Sequence, residues 1–324
     1  MFNSYKAIIA LALVLALVFG LTACGQGTTP VEPPDATANA SDTPAGMTTP
    51  EPSITPDGQA SPTPSDFRRA TLYYRTDEGY MLPVSMEIPM EEGIAKACLS
   101  RLVSTPEMRL ELQKQGLRPV IPEGTEIELN IINGTAVVNL INMPTLQSAE
   151  DEQAMFMAIV NTLVEFSTVD DVTIYIDGND EETQNGSNLP KNQGRFAINP
   201  ENSELATSGS AKPMLLYFPN ESGSMCVPVT RYTENAVDLY SSIKALAEGT
   251  KLNGLRSCFP ENTLVLAATI ENGILTVNLS SDFEQITQTV GLYDLASSVV
   301  LLTAQQFGSI DEVRFMVNGA VFEP

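Results

Sequence analysis

The chain has 324 residues, with 40 acidic and 17 basic side chains, a formal net charge of −23, and no histidine or tryptophan. That charge disfavours nucleic acid and anionic lipid, both of which recruit basic surfaces, so no nucleic-acid partner is expected. Without histidine the chain excludes Ser-His-Asp and Cys-His catalysis, HExxH motifs and His-rich metal sites.

The N-terminus reads as an export leader over residues 1–23. Lys6 precedes an uncharged apolar run from Ala7 to Leu21, the shape of a secretory h-region. As a helix the run would be about 22 Å long, short of the ~30 Å of a bilayer core. It ends in Leu21-Thr22-Ala23-Cys24-Gly25. Small residues before a cysteine at this place resemble the bacterial lipobox, which implies lipidation of Cys24 and a mature chain beginning there. Two or more acyl chains anchor stably, at about 0.8 kcal/mol per buried CH₂. The expected location is the outer face of the cytoplasmic membrane, with the membrane contacted through this N-terminal lipid.

Residues 24–66 read as the lipidated cysteine and a tether. The stretch is rich in Pro, Thr, Ser and Ala and has no basic residue, so it cannot bury enough apolar surface to fold. As an extended chain it would reach several nanometres.

The region from 67 onward contains an internal repeat. Leu72-Tyr73-Tyr74 matches Leu216-Tyr217-Phe218, and Leu82-Pro83-Val84 matches Val227-Pro228-Val229. Gly116-Leu117-Arg118 with Pro122 and Thr125 matches Gly254-Leu255-Arg256 with Pro260 and Thr263. Asn133-Gly134 and Val138-Asn139-Leu140 match Asn272-Gly273 and Val277-Asn278-Leu279. Phe166, Val169-Asp170-Asp171-Val172 and Asp177-Gly178 match Phe307, Ile310-Asp311-Glu312-Val313 and Asn318-Gly319. The order is kept and the offset stays between 138 and 145. The reading is two domains, 67–180 and 212–324, with a polar linker over 181–211.

Each copy predicts the same elements. A strand over 70–75 or 214–219 is followed by a short strand near 81–86 or 225–230. A helix follows over about 91–104 or 234–248, where Tyr240 is one of the residues available for burial. The first copy then has extra residues between Thr105 and Gln115 that lengthen a loop or add a turn. Strands over 127–131 and 136–140, or 265–270 and 274–279, flank Asn-Gly, which suits a tight hairpin because both turn positions need positive φ. A second helix spans about 149–165 or 289–306, and a last strand 172–176 or 313–317. The order β-β-α-β-β-α-β defines an α/β (α+β) unit with helices packed on a mixed sheet. The linker either separates two bodies or folds back, and Arg195-Phe196-Ala197-Ile198 reads as a short strand or docking segment.

Cys98, Cys226 and Cys258 remain besides Cys24. Export permits disulfides, and Cys226 with Cys258 is the pairing considered; the alternative is that all three fill small apolar spaces.

The aromatic first strand, Val227-Pro228-Val229, the Pro-x-x-Thr to Asn-Gly hairpin and the Phe-x-x-Val-Asp-Asp-Val ending resemble the GerMN domain family in both copies. That resemblance, with the lipobox and tether, implies a sporulation or germination lipoprotein of a spore-forming bacterium. It also implies a fold similar to the ring-building modules of sporulation secretion complexes. No enzymatic residues are established for the family, so no catalytic, cofactor-binding or metal-ligating residue is assigned and no cofactor is expected.

The candidate interaction surface comprises Tyr73, Arg118, Tyr217 and Arg256. Alternation along the first strand would leave one member of each aromatic pair free for a partner. The arginines could bind a partner's carboxylate, or pair within their own domain. The expected function is a structural or interaction protein with a protein partner in the cell envelope and contact with the cell wall. The alternatives are a binding module for a small ligand or cell-wall glycan, and a carboxylate-based hydrolase, for which only Glu123 and Glu261 recur.

Overall fold

The computed structural model describes residues 67–89 and 93–324; the leader, Cys24 and the tether lie outside them. In the first copy β1 (Phe67–Thr76) and β2 (Met81–Pro89) form an antiparallel hairpin that sets Tyr73 opposite Pro83, and β3 (Leu117–Arg118) pairs with the other edge of β1. Helices α1 (Ile94–Arg101) and α2 (Pro106–Gln113) come between β2 and β3. A second sheet has β4 (Glu126–Ile132) antiparallel to β5 (Thr135–Ile141), and β5 parallel to β6 (Asp171–Ile176), with α3 (Ala149–Leu163) as the crossover.

The second copy repeats the plan. Its first sheet contains β7 (Pro200–Glu201), β8 (Lys212–Pro219) and β9 (Cys226–Thr233), in the order β7-β9-β8. After α4 (Leu239–Ala247), β10 (Val265–Glu271), β11 (Ile274–Leu279), β12 (Glu312–Val317) and β13 (Ala320–Val321) form the second sheet. Helix α5 (Leu292–Ala304) crosses over between β11 and β12. The α/β repeat is as the pattern predicts, with the strands of each copy divided between a hairpin sheet and a mixed sheet.

Local chemistry sets the boundaries. The added residues of the first copy become α2 because Thr105 caps it, accepting from Met108 N at 3.2 Å, and Pro106 occupies a first-turn position. Such a cap contributes about 1 kcal/mol. The helix expected from 234 begins at 239, where Asp238 and Ser241 form a capping box. Ser148 caps α3, and Glu150, Asp151 and Glu152 sit in its first turn, at the positive end of the helix dipole.

The recurring polar motifs are turn chemistry. Asn133 and Gly134 have φ of 52° and 87°, and Asn272 and Gly273 have 52° and 78°. The carbonyl of Gly134 accepts from Asp170 N at 2.7 Å, as that of Gly273 does from Asp311 N. A Cβ on Gly134 would lie 2.3 Å from Asp170 Oδ2, and on Gly273 2.5 Å from Asp311 Oδ2. The Asn-Gly pair and the distant aspartate are therefore one structural device. In the same way Asn139 Oδ1 accepts from Gly178 N at 3.0 Å, and Asn278 Oδ1 from Gly319 N at 2.9 Å.

Each copy has its own apolar core, one centred on Leu72, Leu99, Phe156 and Ile174, the other on Leu216, Phe283, Val300 and Phe315. Residues 67–324 nevertheless belong to one compact unit. Tyr80 of the first copy packs on the second core, and Met225 of the second packs on the first.

The linker folds back. Thr183 Oγ1 and Asn185 Nδ2 donate to the buried Glu152 carboxylate at 2.6 and 2.8 Å. Phe196 exchanges two hydrogen bonds with the Asn161 amide, and Phe196 and Ile198 pack on the first core. So Arg195–Ile198 docks on the first copy, and two residues later β7 begins, paired in parallel with β9 of the second.

Candidate interaction surface

Tyr73 and Tyr217 are not surface residues. They are 3% and 6% exposed, and Tyr74 and Phe218 are buried as well. Alternation fails here because the strand is covered on both faces. Tyr73 N donates to Thr162 Oγ1 on α3 at 3.2 Å, whereas the Tyr74 hydroxyl reaches the Arg101 carbonyl at the end of α1. Tyr217 N repeats the first contact with Thr303 on α5, at 3.1 Å. The Tyr73 hydroxyl donates to Glu165 Oε1 at 2.8 Å and accepts from Arg195 Nη1 at 2.9 Å. Burial, and then the Glu165 charge, raise its pKa, so it stays a neutral donor.

Arg118 and Arg256 lie at the junction between the copies. The Arg118 guanidinium donates to the carbonyls of Thr76 and Asp77 and pairs with Asp77 Oδ1 at 3.4 Å. It thereby holds the turn carrying Glu78 and Tyr80 into the second copy, where the Tyr80 hydroxyl donates to the Asn253 carbonyl and Glu78 Oε1 accepts from Asn220 Nδ2 at 3.4 Å. Arg256 lies against the corresponding turn of the second copy. Its N–H donates to the Pro219 carbonyl at 3.0 Å, and a Cβ on Gly223 would come within 3.0 Å of its Nη2. That turn leads to Met225, whose Cε would lie 3.4 Å from a Cβ on Gly116. Each Gly-Leu-Arg segment thus braces a turn of its own copy; Gly116 of the first faces Met225 of the second, and Asn253, just before the second segment, accepts from Tyr80 of the first.

Two further residues complete the junction. Asn199 Oδ1 accepts from Met81 N at 2.9 Å, while its Nδ2 donates to the carbonyls of Met81 and Pro228 at 2.9 and 2.7 Å. Glu201 is buried and pairs with Arg231 at 2.6 Å; Arg231 also donates to the carbonyls of Ala245 and Gly249. Nothing in the repeat pattern marks Asn199 or Glu201, because both lie in the unrepeated linker.

The carboxylates are arranged as partners, not as an acid–base pair. Glu123 is bound by Arg109 at 2.7 Å and is exposed, as is Glu261. Asp151, Glu201 and Asp238 all have pKa values held low. The Ser148 hydroxyl and then Arg75 do this for Asp151, and the Ser241 N–H and hydroxyl for Asp238. At Glu201 burial pushes the carboxyl up, but the Lys251 N–H, Arg231 and Thr250 outweigh it. A general acid needs the opposite shift. Among the described residues no group of three or more His, Cys, Asp or Glu side chains is placed to hold a metal ion. Cys98, Cys226 and Cys258 are free thiols, two of them buried, with pKa values raised by burial to about 11, 11 and 12. Such thiols pack as small apolar groups and are poor nucleophiles.

The sequence model of the family described as "Germane: Sporulation and spore germination" matches residues 71–182 and again 215–323. The chain belongs to this family. Its two modules are GerMN domains in tandem, and the solved tandem GerMN domains of the sporulation protein GerM from Bacillus subtilis superpose with a TM-score of 0.58. That match has 25% sequence identity and covers 78% of this chain and 92% of the other. The spore germination protein GerM of Bacillus subtilis (strain 168) is 29% identical over 262 residues, covering 76% of this chain and 71% of the relative. Within this GerMN pair, the repeated side chains are used for turns, cores and the inter-domain junction. Among the described residues no helix is long and apolar enough to cross a membrane.

The exposed large apolar side chains among the described residues are Phe67, Leu110 on α2, Ile131 and Ile132 at the first hairpin tip, Val290, Val321, and Tyr240, Leu264 and Leu266 together in the second GerMN domain. Tyr240, expected to be available for burial, is 44% exposed, because its hydroxyl reaches out to the Val265 carbonyl at 3.2 Å.

Proposed function

We propose that this chain is a lipid-anchored, extracytoplasmic docking protein of the sporulation or germination envelope, and not an enzyme. The anchor is the lipobox cysteine Cys24, which would hold the protein on the outer face of the cytoplasmic membrane. The proline-rich stretch to residue 66 would let the GerMN pair reach several nanometres from the lipid.

One observation carries the reading. The motifs that recur in both GerMN domains are used to build each domain, and residues outside those motifs, Asn199, Tyr80 and Met225, hold the two together. The carboxylates with displaced pKa values are all held low and hydrogen-bonded, so they lack the proton a general acid must deliver. A rigid pair of small α/β bodies on a tether suits a protein that positions others. The relative's printed name, a spore germination protein, supports seeking the partner in that process.

The test is crosslinked recovery of the tagged protein from sporulating and from vegetative cells. The expected result is one or more envelope proteins captured in sporulating cells. Recovery of cell-wall fragments alone, with no protein at either stage, would favour glycan binding and overturn the proposal.

A further inference from the structure

The two GerMN domains differ at one corresponding place on their surfaces. In each domain the first strand of the mixed sheet, β4 or β10, lies at a sheet edge beside a helix, α1 or α4. Superposing the buried helix positions Cys98, Leu99 and Leu102 on Ser242, Ile243 and Leu246 places Lys96 on Tyr240. Thr125 and Thr263, each three residues after the shared proline, place Glu126 on Leu264; the pairing of Asn139 and Asn278 places Glu128 on Ala267, with Leu266 the added residue at the irregularity before it.

In the first domain the groove between helix and strand is therefore charged, lined by Lys96, Ser100, Glu126 and Glu128. In the second domain none of the three charges is kept, and the groove presents Tyr240, Leu264 and Leu266, which are 44%, 62% and 47% exposed. Charge on an edge strand blunts unwanted pairing, and the second domain has given up both strand carboxylates as well as the helix lysine. An apolar cluster on the edge of a chain this acidic costs solubility, and such patches mark contact sites.

The surroundings identify the occupant. Glu261 lies in the turn before the strand, Glu271 closes it, and Glu248 follows the helix; all three are exposed. Lys244, one helical turn from Tyr240, is the one cation among these neighbours. A second copy of this chain would bring the same acidic rim and a charge of −23, so like charges would oppose it. The chain's own stretch over residues 25–66 carries acidic residues and no basic one, so like charges would oppose it as well.

We infer that Tyr240, Leu264 and Leu266 form the docking site for an extended segment of a partner protein, apolar at its centre and basic at its ends. This rests on the docking function proposed above. The partner's apolar residues cover the two leucines and the tyrosine ring. Its backbone pairs with the open edge of β10 beyond the irregularity between Val265 and Ala267, and its basic ends meet Glu261 and Glu271. Strand addition of this kind draws affinity from main-chain hydrogen bonds and specificity from alternate side chains.

The probe is a short fluorescent peptide of alternating Val and Thr with Lys at both ends, titrated with the whole chain and followed by anisotropy. Wild-type protein should bind it, and Leu264→Glu with Leu266→Glu should weaken binding about tenfold or more, the loss of roughly 1.4 kcal/mol or more. Leu110→Glu, on the other domain, should leave binding unchanged, and the peptide with Glu at both ends should bind about tenfold more weakly. Thermal melting confirms that the leucine variants fold, as substitution at exposed positions allows. No binding by the wild type, equal binding of the two peptides, or no effect of the leucine pair overturns the inference. Concentration-dependent dimerisation abolished by Leu266→Glu also overturns it, with a second copy as the occupant. If crosslinking in cells captures the same envelope proteins with and without the leucine substitutions, docking stands and this patch is not its site. If it captures none from wild type, the docking function itself fails.

Discussion

The side-chain amide of Asn199 grips the backbone of Met81 at both ends: Oδ1 accepts from Met81 N and Nδ2 donates to the Met81 carbonyl, each at 2.9 Å. The same Nδ2 reaches the Pro228 carbonyl of the second GerMN domain. One side chain of the linker therefore ties β2 of one domain to β9 of the other. Its φ of 44° is in the left-handed region that asparagine tolerates.

Replacing Asn199 by Ala should loosen the pair without unfolding either core. It removes three hydrogen bonds and leaves partly buried backbone groups without partners, a cost of about 2–4 kcal/mol. Limited proteolysis should show faster cleavage between residues 181 and 211, and Asn199→Gly, which relieves the backbone but not the lost bonds, should behave alike. Unchanged proteolysis would show that the core contacts of Tyr80 and Met225 suffice.

Glu201 makes stability depend on acid. Its folded pKa lies below its unfolded value, because the Lys251 N–H and Arg231 outweigh the effect of burial. The stabilisation is therefore fully present above the unfolded glutamate pKa, near ~4.3, and is lost as pH falls through the lower folded value. Glu201→Gln should flatten the acid arm of a melting-temperature profile. At neutral pH it should cost about 3 kcal/mol, since Arg231 keeps its charge in a buried place without a carboxylate.

The hairpin turns and their aspartates should be coupled. Gly134→Ala forces a side chain onto φ 87° and against Asp170 Oδ2, and should destabilise by about 1–2 kcal/mol for the backbone alone. Asp170→Ala removes the clash but not the backbone strain. The double substitution should therefore be less harmful than the sum of the singles, measured by denaturant unfolding. Gly273 and Asp311 should repeat this pattern.

For the anchor, Cys24→Ala should move the protein from the membrane to the soluble fraction while its melting temperature is unchanged. Continued membrane retention would mean that the apolar run before it, not a lipid, holds the chain.

Much of this fold was legible in one sequence. The Asn-Gly turns, the alternating strands and the apolar stripe of each long helix are local signals, and their recurrence at a nearly constant offset separated pattern from chance. The helix from 239 was placed too early because the Asp238–Ser241 capping box outweighs the apolar residues before it. The candidate site was less legible. Tyr73 and Tyr217 recur because each strand is sandwiched between helices, which alternation along one strand cannot reveal. The replacement of the carboxylates Glu126 and Glu128 by apolar residues was visible in the aligned repeat. Its meaning needed the sheet order, which puts β4 and β10 at edges.

The sequence by itself determined the tandem GerMN architecture, the turn positions, the acidic charge and the exclusion of histidine chemistry, because these depend on residue type and short-range spacing. Only the tertiary structure decided that the two domains are joined into one unit, that the linker is their clamp, and which apolar side chains stay in water. Those outcomes depend on contacts between residues more than a hundred positions apart, such as Met81 with Asn199 and Tyr80 with Asn253, and no local pattern encodes which distant surface a side chain will meet.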